Sequence, residues 1–333
     1  MMKTLFKIFL LVFFLSLVTG QSYTGSAAFL KRGMSARAIG MGSAYTAVAN
    51  DASATFWNPA GLLNSRGTNF QISDIGMLTY GDVNSIQYAL SHKFRKPLPL
   101  FNSIYYALGI SVNGYIVKDI DQYDNASNYI DSFNYGEYAV FLSGAFKVRF
   151  VKLGFTYKYI EQNFGINDPF IQNNKVGLAR KPHDMGLLFN PVEFLTVGMV
   201  VRDSIKLGLY DTYPKSRQLG LKFDLNKIKE SFPNIIVSMD VIVIQNSLNK
   251  LNVGGEYEIN NIGDFSFALR GGLSNMIIGL ENENINEIIQ LNKKLSFGLG
   301  VQYKKNTIDI ALVQDMGQNS YSSFWVFTYS YKN

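Results

Sequence analysis

The chain has 333 residues and no Cys, carries a formal charge of +6, and is 14% aromatic, with 20 Tyr and 25 Phe. So small a charge over this length excludes a nucleic-acid partner, and without Cys the fold cannot rest on disulfides. The length would allow two soluble domains, but no Pro/Ser-rich tract, charge block or low-complexity stretch divides it, so one continuous architecture is expected.

Residues 1–20 start with Lys3 and Lys7, continue as an apolar run over 8–18 and finish on Thr19 and Gly20. Basic, then apolar, then small is the order of a cleavable signal peptide, so the chain is expected to be exported. Cleavage after Gly20 removes two positive charges and no acid, leaving +4. The apolar run is too short to span a bilayer comfortably, and no later stretch approaches a transmembrane helix.

Residues 21–66 precede the first strand. Within them, 35–49 read SARAIGMGSAYTAVA, nearly all small residues that permit close backbone contact. A helical turn or two fits here, weakened by Gly40 and Gly42. Gly40-Met41-Gly42 resembles a dinucleotide loop only superficially: no third Gly follows in register and no strand precedes it. Asn50 or Asp51 is placed to cap a second short helix over 52–56. Asn58-Pro59-Ala60-Gly61 then matches a type I turn, and Pro59 ends the helix by biasing Asn58 away from helical geometry.

From Gly67 onward the period is two. Leu251, Val253, Gly255, Tyr257 and Ile259 alternate with Asn252, Gly254, Glu256, Glu258 and Asn260; Leu295, Phe297, Leu299, Val301 and Tyr303 alternate with Ser296, Gly298, Gly300, Gln302 and Lys304. Runs of this kind predict about 14 strands, near 67–80, 84–95, 103–117, 133–148, 151–164, 182–190, 193–204, 215–225, 232–244, 249–260, 264–280, 294–303, 306–316 and 321–331. The predicted connections alternate in length. One set (96–102, 149–150, 191–192, 226–231, 261–263 and 304–305) is short; the other includes 118–132, 165–181 and 281–293, the longest.

A soluble β-sandwich shares the period, and period alone does not say which face meets lipid. Sorting long and short connections to opposite ends is a property of transmembrane barrels, as are an even strand number and runs of about ten residues. The expected fold is therefore all-β: a transmembrane antiparallel barrel over 67–333, with the aromatic surplus in its lipid contacts and girdles. Trp325, Phe327, Tyr329 and Tyr331 alternate nearly to the C-terminus, as terminal barrel strands do. Lys222, Glu256, Glu258, Arg270 and Asp309, costly against lipid, are expected to face the lumen. About 14 strands enclose more space than wall side chains fill, so residues 21–66 are expected to form a small helical and turn plug, with Trp57 anchoring it to the inner wall.

The stretch SARAIGMGSAYTAVANDASATFWNPAGLL resembles the N-terminal signature of the PorV/PorQ family of outer-membrane proteins, a branch of the FadL-like barrels. DMGLLFNPVEFLTVGMVVRD and YPKSRQLGLKFDL resemble its middle strands. The resemblance implies that Asn58, Pro59 and Ala60 belong to a hatch inside the barrel, together with Ser35, Arg37, Gly40, Gly42, Asp51, Trp57 and Gly61, and that the chain resides in the outer membrane. It implies first a non-enzymatic part in type IX secretion, with translocon or attachment-complex proteins and secreted cargo as partners. The alternative is FadL-like passive transport of hydrophobic small molecules. The absence of a strongly apolar predicted loop favours secretion. An exported β-protein with no transport role is the third possibility.

No catalytic constellation is expected. There are only two His, His92 and His183, so a metal cluster or a Ser-His hydrolase would have to use one of them, and His92 lies on the strand face of Tyr88 and Leu90, at an aqueous boundary. Asp119, Asp121, Asp124 and Asp131 crowd one predicted loop but lack the Gly and terminal Glu of a calcium loop. ENENINEIIQ, from Glu281, is similarly acidic and is expected at the surface or facing a partner. No cofactor is expected.

Overall fold

Alternating side chains form strands, and each here pairs with its neighbours in sequence. The computed structural model describes residues 30, 32–76, 83–97, 104–124, 126–164, 174–176, 183–202, 205–207, 211–213, 215–244, 249–278, 293–316 and 323–333. The signal-peptide expectation, the start of the plug, ENENINEIIQ and most of 165–181 and 281–293 lie outside them. Fourteen strands form the wall. They are β1 (Thr68–Ile75), β2 (Val83–Lys93), β3 (Tyr105–Tyr123), β4 (Tyr129–Val148), β5 (Val151–Phe164), β6 (His183–Val192) and β7 (Leu195–Arg202). The second half comprises β8 (Ser216–Asp224), β9 (Asn234–Ile244), β10 (Asn249–Ile262), β11 (Phe265–Ile278), β12 (Lys294–Tyr303), β13 (Asn306–Asp315) and β14 (Ser323–Lys332).

Every wall pairing is antiparallel, and β1 pairs with β14 from Asn69↔Lys332 to Ile75↔Val326, closing the barrel. Closure removes both sheet edges, so every strand's ladder is satisfied from two sides, as lipid requires. Among the described residues, three short strands lie outside the ring: Asn174–Val176 pairs with β5, and Ile205–Leu207 pairs with Asp211–Tyr213.

Burial decides between barrel and sandwich. On β12, Phe297 is 54% and Leu299 59% exposed, whereas Ser296 between strand neighbours is 1% exposed. Gln71, Gln87, Asn113, Thr156 and Asp240 are buried while Phe70, Ile86, Leu142, Phe155 and Ile308 lie outside. A water-soluble sandwich would reverse this pattern; exposing a continuous apolar belt around a polar interior is favourable only in a bilayer.

The short turns, the start of β1 and the C-terminus share one end, which is the periplasmic end of a barrel of this type. Residues 118–132, expected as a long loop, are instead mostly strand. β3 and β4 stay paired to Tyr123↔Tyr129, leaving a turn closed by Asp124, whose carboxylate accepts from the Ala126 and Asn128 amides. At 19 and 20 residues, these strands exceed the nine to eleven that cross a bilayer, so the hairpin projects outward. Both its faces meet solvent there, which erases the alternation that marks a strand.

Residues 32–66 fill the barrel interior. They contain α1 (Ala36–Gly40), α2 (Ala54–Trp57) and a 3-10 helix at Pro59–Asn64. The expected helix over 52–56 begins later because Asp51 Oδ1 takes the Ser53 amide and hydroxyl, closing a turn before the helix starts. It ends at Asn58, which is extended. The expected type I turn is present as the Gly61 amide to the Asn58 carbonyl, and it continues into the 3-10 helix. Trp57 meets the wall through its backbone carbonyl, which accepts from Arg202 Nη2 at 3.3 Å. Its indole donates to the Met34 carbonyl and packs edge-on against Tyr45 and Phe56, all within the plug; Phe56 is the ring that meets wall residue Phe141.

Candidate functional site at the hatch

An ion network bolts the plug, or hatch, to β10, β11 and β13. Arg37 of α1 donates through Nε and Nη2 to both Glu256 oxygens, each at 2.7 Å. Arg270 Nε reaches Glu256 Oε2 at 2.6 Å and its Nη1 reaches Asp309 at 2.7 Å. The remaining Arg37 nitrogen bonds Asn50 at 2.6 Å, with Asp51 3.9 Å away, and Tyr45 donates to Asp51 at 2.8 Å. Burial alone would lower the Arg37 pKa, but Glu256 together with Tyr45 and Asp51 outweighs it and holds the guanidinium charged. Burial pushes the Tyr45 phenol well above its ordinary range, so it stays a donor to Asp51. The paired geometry matters because a buried charge left without its partner is costly.

A second bolt is Asp240 of β9, whose Oδ2 accepts from the Tyr45 and Thr46 amides at 3.0 Å and from the Thr46 hydroxyl at 2.7 Å. Asn58 is a third. Its Oδ1 caps the 3-10 helix through the Ala60 amide at 3.1 Å, while Nδ2 donates to Thr46 O at 2.8 Å and to wall residue Leu187 O at 3.2 Å. One amide side chain thus ties two hatch segments to β6, a task that needs both a donor and an acceptor.

Close approach requires glycine on the wall. A Cβ at Gly254 would lie 2.0 Å from Met41 O, at Gly272 2.3 Å from Gly42 N, at Gly186 2.2 Å from Asn58 Oδ1 and at Gly154 2.2 Å from Ala60 N. These glycines face one another across strands, Gly154↔Gly186 and Gly254↔Gly272. Hatch backbone thus lies directly on wall backbone.

On the hatch's outer side is a cavity of about 370 Å³. Leu30, Ile39, Phe56, Trp57, Phe141 and Ile242 supply apolar lining, while Arg32, Lys158, Arg202, Gln218, Lys250, Lys294 and Asp315, with several Ser and Asn, supply polar groups. Lys158 and Arg202 both engage Asp184, at 2.5 and 3.6 Å, and Arg202 also stands over the Phe56 ring. A smaller cavity of about 70 Å³ lies at the hatch's inner side, beside Arg37, Asp51, Glu258, Arg270 and Asp309.

The structure gathers Arg37, Asp51, Glu256, Arg270 and Asp309 into one cluster, with Glu258 at its edge. Lys222 stands apart, paired with Asp224 at 3.0 Å near the inner mouth. Ser35 accepts from Gln71 at 2.9 Å. Gly40 packs at Gly298, Gly42 at Leu273 and Gly61 at Ala49. Pro59 and Ala60 sit against Gly186 and Gly154. His92 bonds Thr68 at 2.8 Å on the outer surface. Sequence reasoning missed Asp240, Asp184, Lys158, Arg202 and the wall glycines. The glycines carried a legible signal, since they recur at inward positions on strand after strand.

No protein-family model matches the chain, and no curated protein matches it. Solved structures do. The fold is similar to the Pseudomonas putida toluene transporter TodX at TM-score 0.58 and 11% identity, covering 90% of this chain and 96% of that one. The Ralstonia pickettii toluene transporter TbuX gives 0.57 and 14%, over 90% and 98%. A Pseudomonas aeruginosa FadL homologue gives 0.53 and 13%, over 95% and 100%. At these identities the likeness establishes the fold, that of FadL-type outer-membrane barrels.

Proposed function

We propose that the chain is a non-enzymatic outer-membrane barrel that admits hydrophobic small molecules from outside and passes them inward when the hatch moves. The observation carrying this reading is the cavity above the hatch, floored by Phe56 and Trp57 and walled by Phe141 and Ile242. Its volume of about 370 Å³ falls within the range of small-molecule sites, and the apolar patch at its floor is large enough to receive a small ring, although polar side chains, Arg32, Lys158, Arg202, Lys250, Lys294 and Asp315 among them, make up much of the remaining lining. The toluene transporters and the FadL homologue that share the fold support the same substrate class. The chain has two Trp, so Trp325→Phe leaves Trp57 as sole reporter. Titrating that variant with toluene should shift Trp57 emission saturably, and cells making the protein should take up toluene faster than cells lacking it. No emission shift together with unchanged uptake would remove the reading.

A role in type IX secretion is the second reading, favoured by the resemblance of residues 35–63 and by the projecting β3–β4 hairpin. That hairpin exposes Tyr123, Tyr129 and Ile130 beyond the bilayer, a surface suited to a protein partner. Near-stoichiometric co-purification of a translocon or attachment subunit, lost on trimming residues 119–131, would select it. Unchanged cargo export on deletion of the gene would dismiss it.

A further inference from the structure

Beneath the hatch, at the inner mouth, one arc of the lumen is lined with lysines. Lys93 continues the inward file of Ala89 and Ser91 on β2. Lys147 continues Ser143 and Ala145 on β4, Lys152 precedes Gly154 and Thr156 on β5, and Lys222 follows Gln218 and Gly220 on β8. Lys147 and Lys152 are direct cross-strand partners, an arrangement that destabilises a sheet when both are charged. Repulsion from Lys147, Lys93, Lys222 and Lys227 reaches Lys152, and that from Lys147 and Arg66 reaches Lys93.

The charge is only partly neutralised from within. Asp224 is shared by Lys222 and Lys227, each at 3.0 Å. Among the described residues, Lys93, Lys147 and Lys152 join no ion pair; Lys152 donates instead to Asn64 at the end of the hatch's 3-10 helix. Glu193, on the adjoining turn, also pairs with none of them. Cations crowded at a half-desolvated mouth are relieved by an anion, and several ammonium groups around one point suit a phosphate or carboxylate oxygen set.

We infer that Lys93, Lys147, Lys152 and Lys222 form an oxyanion-binding vestibule at the inner mouth, taking a phosphate or carboxylate group of a small solute. Because the lysines point into the lumen, the group arrives as a free solute and not on a bilayer lipid. The site stands independently of what occupies the outer cavity. Its contact with Asn64 places an occupant against the final residue of the hatch helix.

The test uses the full barrel purified in an uncharged detergent, titrated with inorganic phosphate at constant chloride ionic strength. Wild type should show saturable binding, K147Q/K152Q should bind at least tenfold more weakly, and K118Q, on the outer hairpin, should match wild type. The double variant removes like-charge repulsion, so it should fold; the mobility shift between unboiled and boiled gel samples checks this. Absent binding, or equal affinity in all three proteins, overturns the inference. A nanodisc arm separates the sources. Protection of Lys147 and Lys152 from amine labelling by phosphatidylglycerol, with none by phosphate, assigns the lysines to lipid and also overturns it.

Discussion

Replacing Glu256 by Gln removes the charge on which two guanidinium groups converge while keeping the side chain's size. Glu256 is 2% exposed and accepts three bonds of 2.6–2.7 Å, two from Arg37 and one from Arg270. Bonds to charged groups contribute about 1.5–3 kcal/mol each and do not add; removing one member of a buried pair costs about 3–5 kcal/mol. Arg270 keeps Asp309, so most of the loss falls on Arg37 and the hatch it carries. The free energy of hatch opening should fall by about 3 kcal/mol, equivalent to about a hundredfold rise in the open population. Amide hydrogen exchange reads this directly, because the Ala36, Tyr45 and Thr46 amides bond wall side chains Thr328 and Asp240. All three should exchange together and about a hundredfold faster, while strand amides of β12 and β13 stay protected. The double variant R37M/E256Q should cost less than the two single variants combined, with a coupling of about 1–3 kcal/mol. Exchange within threefold of wild type in a folded E256Q barrel, or strict additivity with R37M, would refute the idea that this network holds the hatch.

Gly271 and Gly272 are adjacent, yet only the second faces the hatch, where an added Cβ would meet Gly42 N at 2.3 Å; at Gly271 nothing lies within 4 Å. Gly272→Ala should therefore raise single-channel conductance in planar bilayers by displacing the hatch, whereas Gly271→Ala should change neither conductance nor stability by more than about 0.5 kcal/mol. Asn58→Ala loses three bonds and should speed exchange of the Gly61 and Ala60 amides, at a cost of about 1–3 kcal/mol. Asn58→Asp should be worse, because it turns an acceptor toward the Thr46 and Leu187 carbonyls. Leu299→Arg on the lipid face should lower urea stability in bilayers by about 2–4 kcal/mol; equal stability would mean that this face does not meet lipid.

The period-two pattern made the strands legible, because one face of each meets lipid and the other a polar lumen. It failed where that contrast disappears. Residues 118–132 are wetted on both faces, so their polar run reads as a loop although β3 and β4 remain paired through it. The hatch was legible only from one side. Arg37, Asn58 and the small residues around them are local in sequence, whereas Glu256 lies 219 positions beyond Arg37 and becomes its partner only once closure and register are fixed. Trp57 shows the same limit. An aromatic beside a turn can pack inward or outward, and the Met34 carbonyl that decides the matter is not marked by residue type. The wall's contribution follows from backbone proximity: where Met41 O and Asn58 Oδ1 touch β10 and β6, any side chain is excluded, so the wall side of the site is written in glycines. An isolated glycine in a strand is ordinarily a weak point. Opposed in pairs on the inward face of this barrel, Gly154 with Gly186 and Gly254 with Gly272, they form the seat on which the hatch backbone rests.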